Sequence, residues 1–298
     1  MLPRFWSAGR LRIHAWLLLG GVAFALAVWT GGCGLFDAYR LETVEYTCDS
    51  PEVPAAFDGT RIALVTDIHC GPFYSQERVG RLVDRINRLE PDLVLLGGDY
   101  VYGGTEYEAP CFAQLARLEA ALGRFAVLGN HDYGPPDSED AGPANAIAAA
   151  NQAGITLLTN QAAWLEEDGQ RIRLGGVLDF WRDQPQLGPI VEGTRAPDFV
   201  LLLCHNPDYS EELPAGVVDL VLSGHTHGGV ATAFGSWAPY VRSDYGQKYR
   251  TGIVQNGRTT VIVSNGIGTS TPLPVRFYAP AQIVIITLRS NPLASVHP

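Results

Sequence analysis

The chain has 298 residues, 46% hydrophobic and 17% charged, which is enough apolar material for the core of one large domain or two small ones. Its 21 basic and 31 acidic residues give a formal charge of −10, so no broad basic surface for nucleic acid exists and no nucleic-acid partner is expected. Phosphate chemistry stays open, because a bound metal supplies positive charge locally.

The first element lies between Ile13 and Phe36, where no Asp, Glu, Lys or Arg occurs. Spanning a bilayer takes about 20 apolar residues, with a floor of about 17, and the stretch reaches this only if Thr30 to Phe36 is counted. Arg4, Arg10 and Arg12 precede it, and Asp37, Glu42 and Glu45 follow. That asymmetry puts the N-terminus in the cytoplasm and the remainder outside. Three readings stand: a retained single-pass anchor in a bacterial cytoplasmic membrane, a cleaved signal, or a lipid attachment at Cys33. Residues 37–59 read as a connector, with a strand at Leu41 to Tyr46. The five cysteines (Cys33, Cys48, Cys70, Cys111 and Cys204) contain no CxxC pair, which argues against a zinc ribbon. Cys70 and Cys204 read as small apolar fillers at strand ends.

Arg61 to Thr66 is a short apolar run that reads as a buried strand and ends on Asp67-Ile68-His69. Val79, Leu82, Val83, Ile86 and Leu89 recur at helical spacing over Glu77 to Leu89, with Pro91 as the stop. A strand at Leu93 to Leu96 runs into Gly97-Gly98-Asp99. A helix is expected over Phe112 to Leu122, then a strand at Phe125 to Leu128 ending on Gly129-Asn130-His131-Asp132. This alternation predicts a parallel sheet with helices on its faces.

Asp137 to Asp140 reads as a solvated acidic loop, and Ala144 to Ala153 as a helix. Strands are expected at Ile155 to Leu158 and Arg171 to Val177, with Asp168-Gly169 turning a hairpin onto a shorter partner. Phe199 to Leu203 leads to Cys204-His205-Asn206, and Val217 to Leu222 leads to Ser223-Gly224-His225-Thr226-His227-Gly228-Gly229. Gly229 to Arg258 is expected to be a long loop over the site. Thr260 to Val263 and Ile283 to Ile286 close the sheet. The domain is expected to span residues 60–290, followed by a tail.

Five strand ends thus carry metal-type side chains: Asp67 and His69, Asp99, Asn130 and His131, His205, then His225 and His227. Singly, each has an ordinary structural explanation. Asp at a strand end commonly caps a turn, a lone His is commonly a satisfied buried imidazole, and Asn tolerates positive φ. All five together on predicted parallel strands point to a ligand site, because such sites form beyond the carboxyl ends of strands. Mixed nitrogen and oxygen donors suit two divalent ions, Mn2+, Fe2+/3+ or Zn2+, better than Ca2+. Two ions clamp both oxygens of an in-line displacement at phosphorus and lower the pKa of water.

The order Asp-x-His, Gly-Gly-Asp, Gly-Asn-His-Asp, His, Gly-His-Thr-His resembles the calcineurin-like metallophosphoesterase superfamily over about Thr60 to Leu288. The resemblance implies a four-layer α/β/β/α sandwich, here preceded by the transmembrane or signal helix. It implies Asp67, His69, Asp99 and His227 around one ion, and Asp99, Asn130, His205 and His225 around the other. It implies hydrolysis of a phosphoester by a metal-bridging hydroxide, with His131 protonating the leaving alkoxide and Asp132 orienting His131. Tyr245 to Tyr249, Asn265 to Thr269 and Pro274 to Phe277 further resemble a bacterial, membrane-anchored YkuE/YaeI-like phosphodiesterase subgroup. Val230 and Gln282 depart from it, at positions where Gln and an acidic residue are usual. Relatives include hydrolases of a UDP-linked diacylglucosamine, a lipid A precursor. That precursor is cytoplasmic, whereas the charge asymmetry points the domain outward. Small-molecule or lipid phosphoesters are the expected substrates. The alternative is a membrane-tethered metal-binding or scaffold protein of the same fold without catalysis.

Overall fold

A computed structural model describes residues 37–134, 142–271 and 274–291, with isolated positions at 16, 19–21, 32 and 34. The expected span between Ile13 and Phe36 falls largely outside these residues, as do Cys33, the acidic loop at Asp137 to Asp140 and the tail. Among the described residues no helix is long and apolar enough to cross a membrane.

Two six-stranded sheets pack face to face. The first contains β1 (Leu41–Ser50), β2 (Arg61–Val65), β3 (Leu93–Leu96), β4 (Arg124–Ala126), β5 (Thr156–Leu157) and β12 (Ala281–Ser290), in the order β1-β12-β2-β3-β4-β5. From β2 to β5 all neighbours are parallel, whereas β12 is antiparallel to β2 and parallel to β1. The second sheet has the order β10-β11-β9-β8-β7-β6, from β6 (Gln161–Glu167), β7 (Gln170–Gly176), β8 (Val200–Leu203), β9 (Leu220–Ser223), β10 (Gly252–Asn256) and β11 (Thr259–Val263). Its centre, β7-β8-β9-β11, is parallel, and both edges are antiparallel. The central strands read as unbroken apolar runs because both of their faces are buried. Ile62, Leu64, Leu95, Leu201, Leu203, Leu222 and Ile262 fill the space between the sheets.

Outside the first sheet lie α1 (Gln76–Asn87), α2 (Glu108–Leu115) and α3 (Ala144–Gln152). Val79, Leu82, Val83 and Ile86 form the stripe that α1 buries in the cluster containing Ala63, Val65, Val94 and Leu96. The helix stops before Leu89, and Glu90 turns with φ 49° ahead of Pro91. The next helix begins earlier than its periodicity suggested and ends at Leu115. Pro110 is tolerated in its first turn, where the missing N–H would have had no partner. Beyond it, bonds three residues apart, from Arg117 N–H to Gln114 and from Leu118 N–H to Leu115, tighten the last turn and end the helix ahead of β4.

The outer face of the second sheet is thinly covered by α4 (Gly188–Val191) and by short turns at Pro207–Glu212 and Gly246–Tyr249. The fourth layer of the expected sandwich is therefore mostly turn. Three other expectations change. The stretch read as a connector supplies all of β1, which pairs with β12 from Leu41 to Ser50. The hairpin partner β6 is seven residues long and no shorter than β7; Asp168 and Gly169, at φ 47° and 74°, make its turn. Gly229 to Arg258 is not all loop, since β10 forms within it and returns to β11 through Gly257 at φ 60°.

Candidate metal centre

The carboxyl ends of β2, β3 and β4 meet those of β8 and β9 at one edge of the stacked sheets. Backbone bonds lock the turns together there: Asp67 N–H donates to Gly98, His69 N–H to Asp99, and Gly224 N–H to His205. Asp67, His69, Asp99, His205, His225 and His227 are all essentially buried. Ligand atoms of Asp67, His69 and His227 lie within 4.8 Å of one another, and so do those of Asp67, Asp99 and His205. Asp99 Oδ2 stands between the clusters, 3.5 Å from His69 Nε2 and 3.4 Å from His205 Nε2. His227 Nε2 is 3.3 Å from Asp67 Oδ1. His225 Nδ1 joins from the far side, 3.2 Å from His205 Nε2.

The backbone is bent to achieve this. Asp67, His69, Asp99, His225 and His227 all hold left-handed φ values, from 48° to 68°. Such a conformation costs a non-glycine residue about 1–2 kcal/mol. Glycine is used at two kinds of position. Gly228 and Gly229 continue the turn at φ 65° and 80°. Gly224 serves close approach instead, since a Cβ there would collide with Thr66 Oγ1 and Asp67 Oδ2.

These residues fit a pair of cations. His69 Nε2 and His227 Nε2 are 3.2 Å apart, a contact between nitrogens that a shared cation would satisfy. Asn130 Oδ1, His131 Nε2 and His225 Nε2 are buried without partners. His205 Nδ1 donates to Gly97 O at 2.7 Å, which turns its Nε2 toward Asp99. Burial pushes His69 down to about 3, and pushes His225 and His227 well below the ordinary histidine range, so these imidazoles are neutral donors. Burial would also lower His205, but the charge and hydrogen bond of Asp99 outweigh it and raise His205 well above its usual value. Burial works to raise Asp99, yet His205, His131 and His69 hold it well below the carboxylate range. A cation entering here therefore displaces a proton from His205.

Asp132 does not face His131. Its Oδ2 accepts from the backbone N–H groups of Asp99 and Gly129, and its Oδ1 from Tyr100 N–H, all at 2.8 Å. The carboxylate thus pins the turn after β3 to the turn after β4. His131 is anchored by its own backbone, N–H to Asp99 Oδ1 at 2.8 Å, with its ring edge-on to His69 at 5.0 Å between centroids. With Asn130 it lines a cavity of about 270 Å³ that also takes in Tyr102, Gly104, Glu108 and Arg182.

Sequence reasoning gave no role to Arg276, which is wholly buried behind the centre. Its Nη1 donates to Asn265 O and Ala279 O, and its Nη2 donates to Gly268 O and, at 3.2 Å, to His227 Nδ1. Burial lowers it to about 10, which leaves it charged at neutral pH. A guanidinium only donates, so Arg276 points an N–H at His227 Nδ1 and fixes the orientation of the ring. Ser270 Oγ lies 3.4 Å from His227 Nε2. Only the apolar neighbours of Arg276 in sequence hinted at burial. Cys48, Cys70, Cys111 and Cys204 are free and buried, as fillers would be.

The family model for calcineurin-like phosphoesterases matches residues 60–229, a range that contains every one of these metal-type residues. The chain is 31% identical over 285 residues to an uncharacterized metallophosphoesterase, YkuE, of Bacillus subtilis, covering 92% of this chain and 96% of that one. It is 31% identical over 278 residues to an uncharacterized metallophosphoesterase of Aquifex aeolicus, covering 89% and 98%. It is 30% identical over 212 residues to the phosphodiesterase YaeI of Escherichia coli, covering 70% and 75%.

Proposed function

Because the chain belongs to the calcineurin-like phosphoesterase family and is a hydrolase of phosphoester bonds, we propose that it cleaves a phosphodiester or phosphomonoester with two divalent ions. Asp67, His69, Asp99 and His227 would hold one ion, and Asp99, Asn130, His205 and His225 would hold the other. The observation that carries this reading is Asp99 Oδ2, set 3.5 Å and 3.4 Å from histidine nitrogens of the two clusters. When bound, the ions supply Lewis acidity toward the phosphoryl oxygens and a nucleophile at neutral pH.

The protein's own groups do the rest. Asp99, set between the two clusters, would be shared by the ions, while the buried neutral histidines would donate nitrogen without adding charge. His131 Nε2, otherwise unpartnered, gives its proton to the leaving oxygen. The leaving group occupies the cavity beside His131, whose lining includes Arg182. Asp132 holds the Asp99 turn in place. The uncharged N-terminal stretch supports a membrane location, with the domain on the extracytoplasmic side and a lipid-linked phosphoester as the substrate class. The test is metal content of the purified chain, paired with hydrolysis of bis-aryl and mono-aryl phosphates with Mn2+ added or chelated. The expected result is about two ions per chain and turnover that the chelator abolishes. Purified protein without metal, or turnover indifferent to chelation, defeats the proposal.

A further inference from the structure

Directly after the His225-Thr226-His227 turn, Val230 to Tyr240 (VATAFGSWAPY) carries no charged residue. In a soluble chain such a segment would turn its large side chains inward. Here Phe234 is 85% exposed, Trp237 54% and Tyr240 69%, and Tyr278 beside them is 48% exposed. The Phe234 and Tyr278 ring centroids lie 5.6 Å apart, so these two exposed rings form one aromatic pair.

The segment is a braced finger. Ala233 N–H donates to Trp237 O at 2.7 Å, and Thr232 N–H to Phe277 O at 2.9 Å. Thr232 Oγ1 accepts from Gly235 N–H, and Arg250 Nη2 donates to Gly235 O. Gln247 brackets Ala238, accepting from its N–H and donating to its carbonyl. Many of the finger's backbone polar groups are thus met inside the protein, while its aromatic side chains are left outside. That division suits a membrane interface, where Trp and Tyr rings settle at headgroup depth.

The uncharged N-terminal stretch says what covers this surface. Its end docks on the same spot: Arg276 N–H donates to Gly34 O at 2.9 Å, and Tyr278 N–H donates to Asp37 Oδ2 at 2.8 Å. Gly34 is so close to the Phe277 ring that a Cβ would sit 2.7 Å from Cε1. Gly34, near the end of the charge-free run, therefore meets the domain at Arg276 and Phe277, beside Tyr278.

We propose that the finger Val230 to Tyr240, with Tyr278, seats in the headgroup region of a lipid bilayer next to the N-terminal segment. The patch itself is uncharged, so the contact is made by aromatic burial rather than by attraction to anionic lipid. Arg250 ties the finger to the centre through Gly228 O at 3.3 Å, so lipid contact and the metal-type turn are mechanically joined. The lipid contact stands apart from the phosphoesterase reading. Only its consequence, that substrate arrives from the headgroup layer, rests on that reading.

The test uses the full chain in phosphatidylcholine vesicles, with and without bromine on the upper acyl chain, comparing the wild type with Trp237→Phe. The fluorescence removed by W237F is the Trp237 signal among the six tryptophans. The proposal expects bromolipid to quench this signal and aqueous acrylamide to spare it. A signal quenched by acrylamide and untouched by bromolipid overturns it. So does a signal shielded from both quenchers, which would mean that protein covers the patch. A double variant of the full chain, F234S/Y240S, should keep its rate on a soluble aryl phosphate in detergent while the Trp237 signal loses bromolipid quenching and gains acrylamide quenching; quenching unchanged from the wild type also overturns the proposal. Because quenching reads no turnover, an inactive enzyme would leave this test intact.

Discussion

Replacing Asp132 with asparagine separates two roles for that carboxylate, and the wild-type geometry sets the size of the effect. Asp132 accepts three buried backbone N–H groups, from Asp99, Tyr100 and Gly129. Asparagine keeps one carbonyl oxygen, so at best the two bonds at Oδ2 survive and an amide N–H faces Tyr100 N–H. One orphaned buried donor costs about 1–3 kcal/mol, which is the destabilisation expected. Because two of the donors flank the bridging position of Asp99, metal affinity should also fall by about 10–100-fold, as for other changes behind a metal ligand. Turnover at saturating metal should stay near wild type. Urea denaturation, calorimetric metal titration and kcat on an aryl phosphate measure the three quantities separately. If Asp132 instead orients His131, the outcome inverts: kcat falls, its pH profile shifts, and stability and metal affinity are unchanged. That result would refute the pinning role.

His131→Ala should retain both ions and lose turnover by about 10²–10⁴-fold, the range for a general acid, whereas Asp99→Ala should lose metal; equal metal loss in elemental analysis of the two variants would sink the assignment. Gly224→Ala should push Asp67 aside at a cost of about 1–3 kcal/mol, and metal titration should show weaker binding; unchanged affinity would mean that the tight approach is unimportant. Burial raises Asp219 to about 6, opposed by its bond from Val200 N–H. Its contribution to stability is therefore present below the unfolded pKa near 4 and is lost as pH rises through about 6, by up to about 3 kcal/mol. Asp219→Asn keeps the acceptor for Val200 N–H, so it should be more stable than wild type at pH 8 and no more stable at pH 4; equal denaturation midpoints at pH 8 would contradict this.

The residues of the centre were legible because parallel strands buried on both faces show as apolar runs, and their ends show as abrupt switches to Asp, Asn and His. Leu93–Leu96, Val200–Leu203 and Leu220–Ser223 are such runs. What could not be read was partnership. Asp132 sits beside His131 in sequence, yet its acceptor oxygens turn to the amide of Gly129 and to those of Asp99 and Tyr100, 33 and 32 residues away, a choice made by the packing of two turns. Arg276 is a lone charge in an apolar segment, and only the assembled fold buries it behind His227. The strand β10 was hidden because it is an edge strand of alternating exposure, and β1 extends through Thr47, Asp49 and Ser50 because β12 offers a ladder that long.

The left-handed turns at Asp67, His69, Asp99, His225 and His227 bear on any attempt to rebuild this centre elsewhere. Copying its side chains onto the strand ends of another parallel sheet would reproduce the composition but not the convergence, because ordinary turns would aim those side chains along other vectors. A graft must import the five bends as well, and its host must be stable enough to bear about 1–2 kcal/mol for each of them. The transferable unit is thus a set of contorted loops held between two stacked sheets, and the chemistry is portable only together with the rigidity that keeps those loops from relaxing.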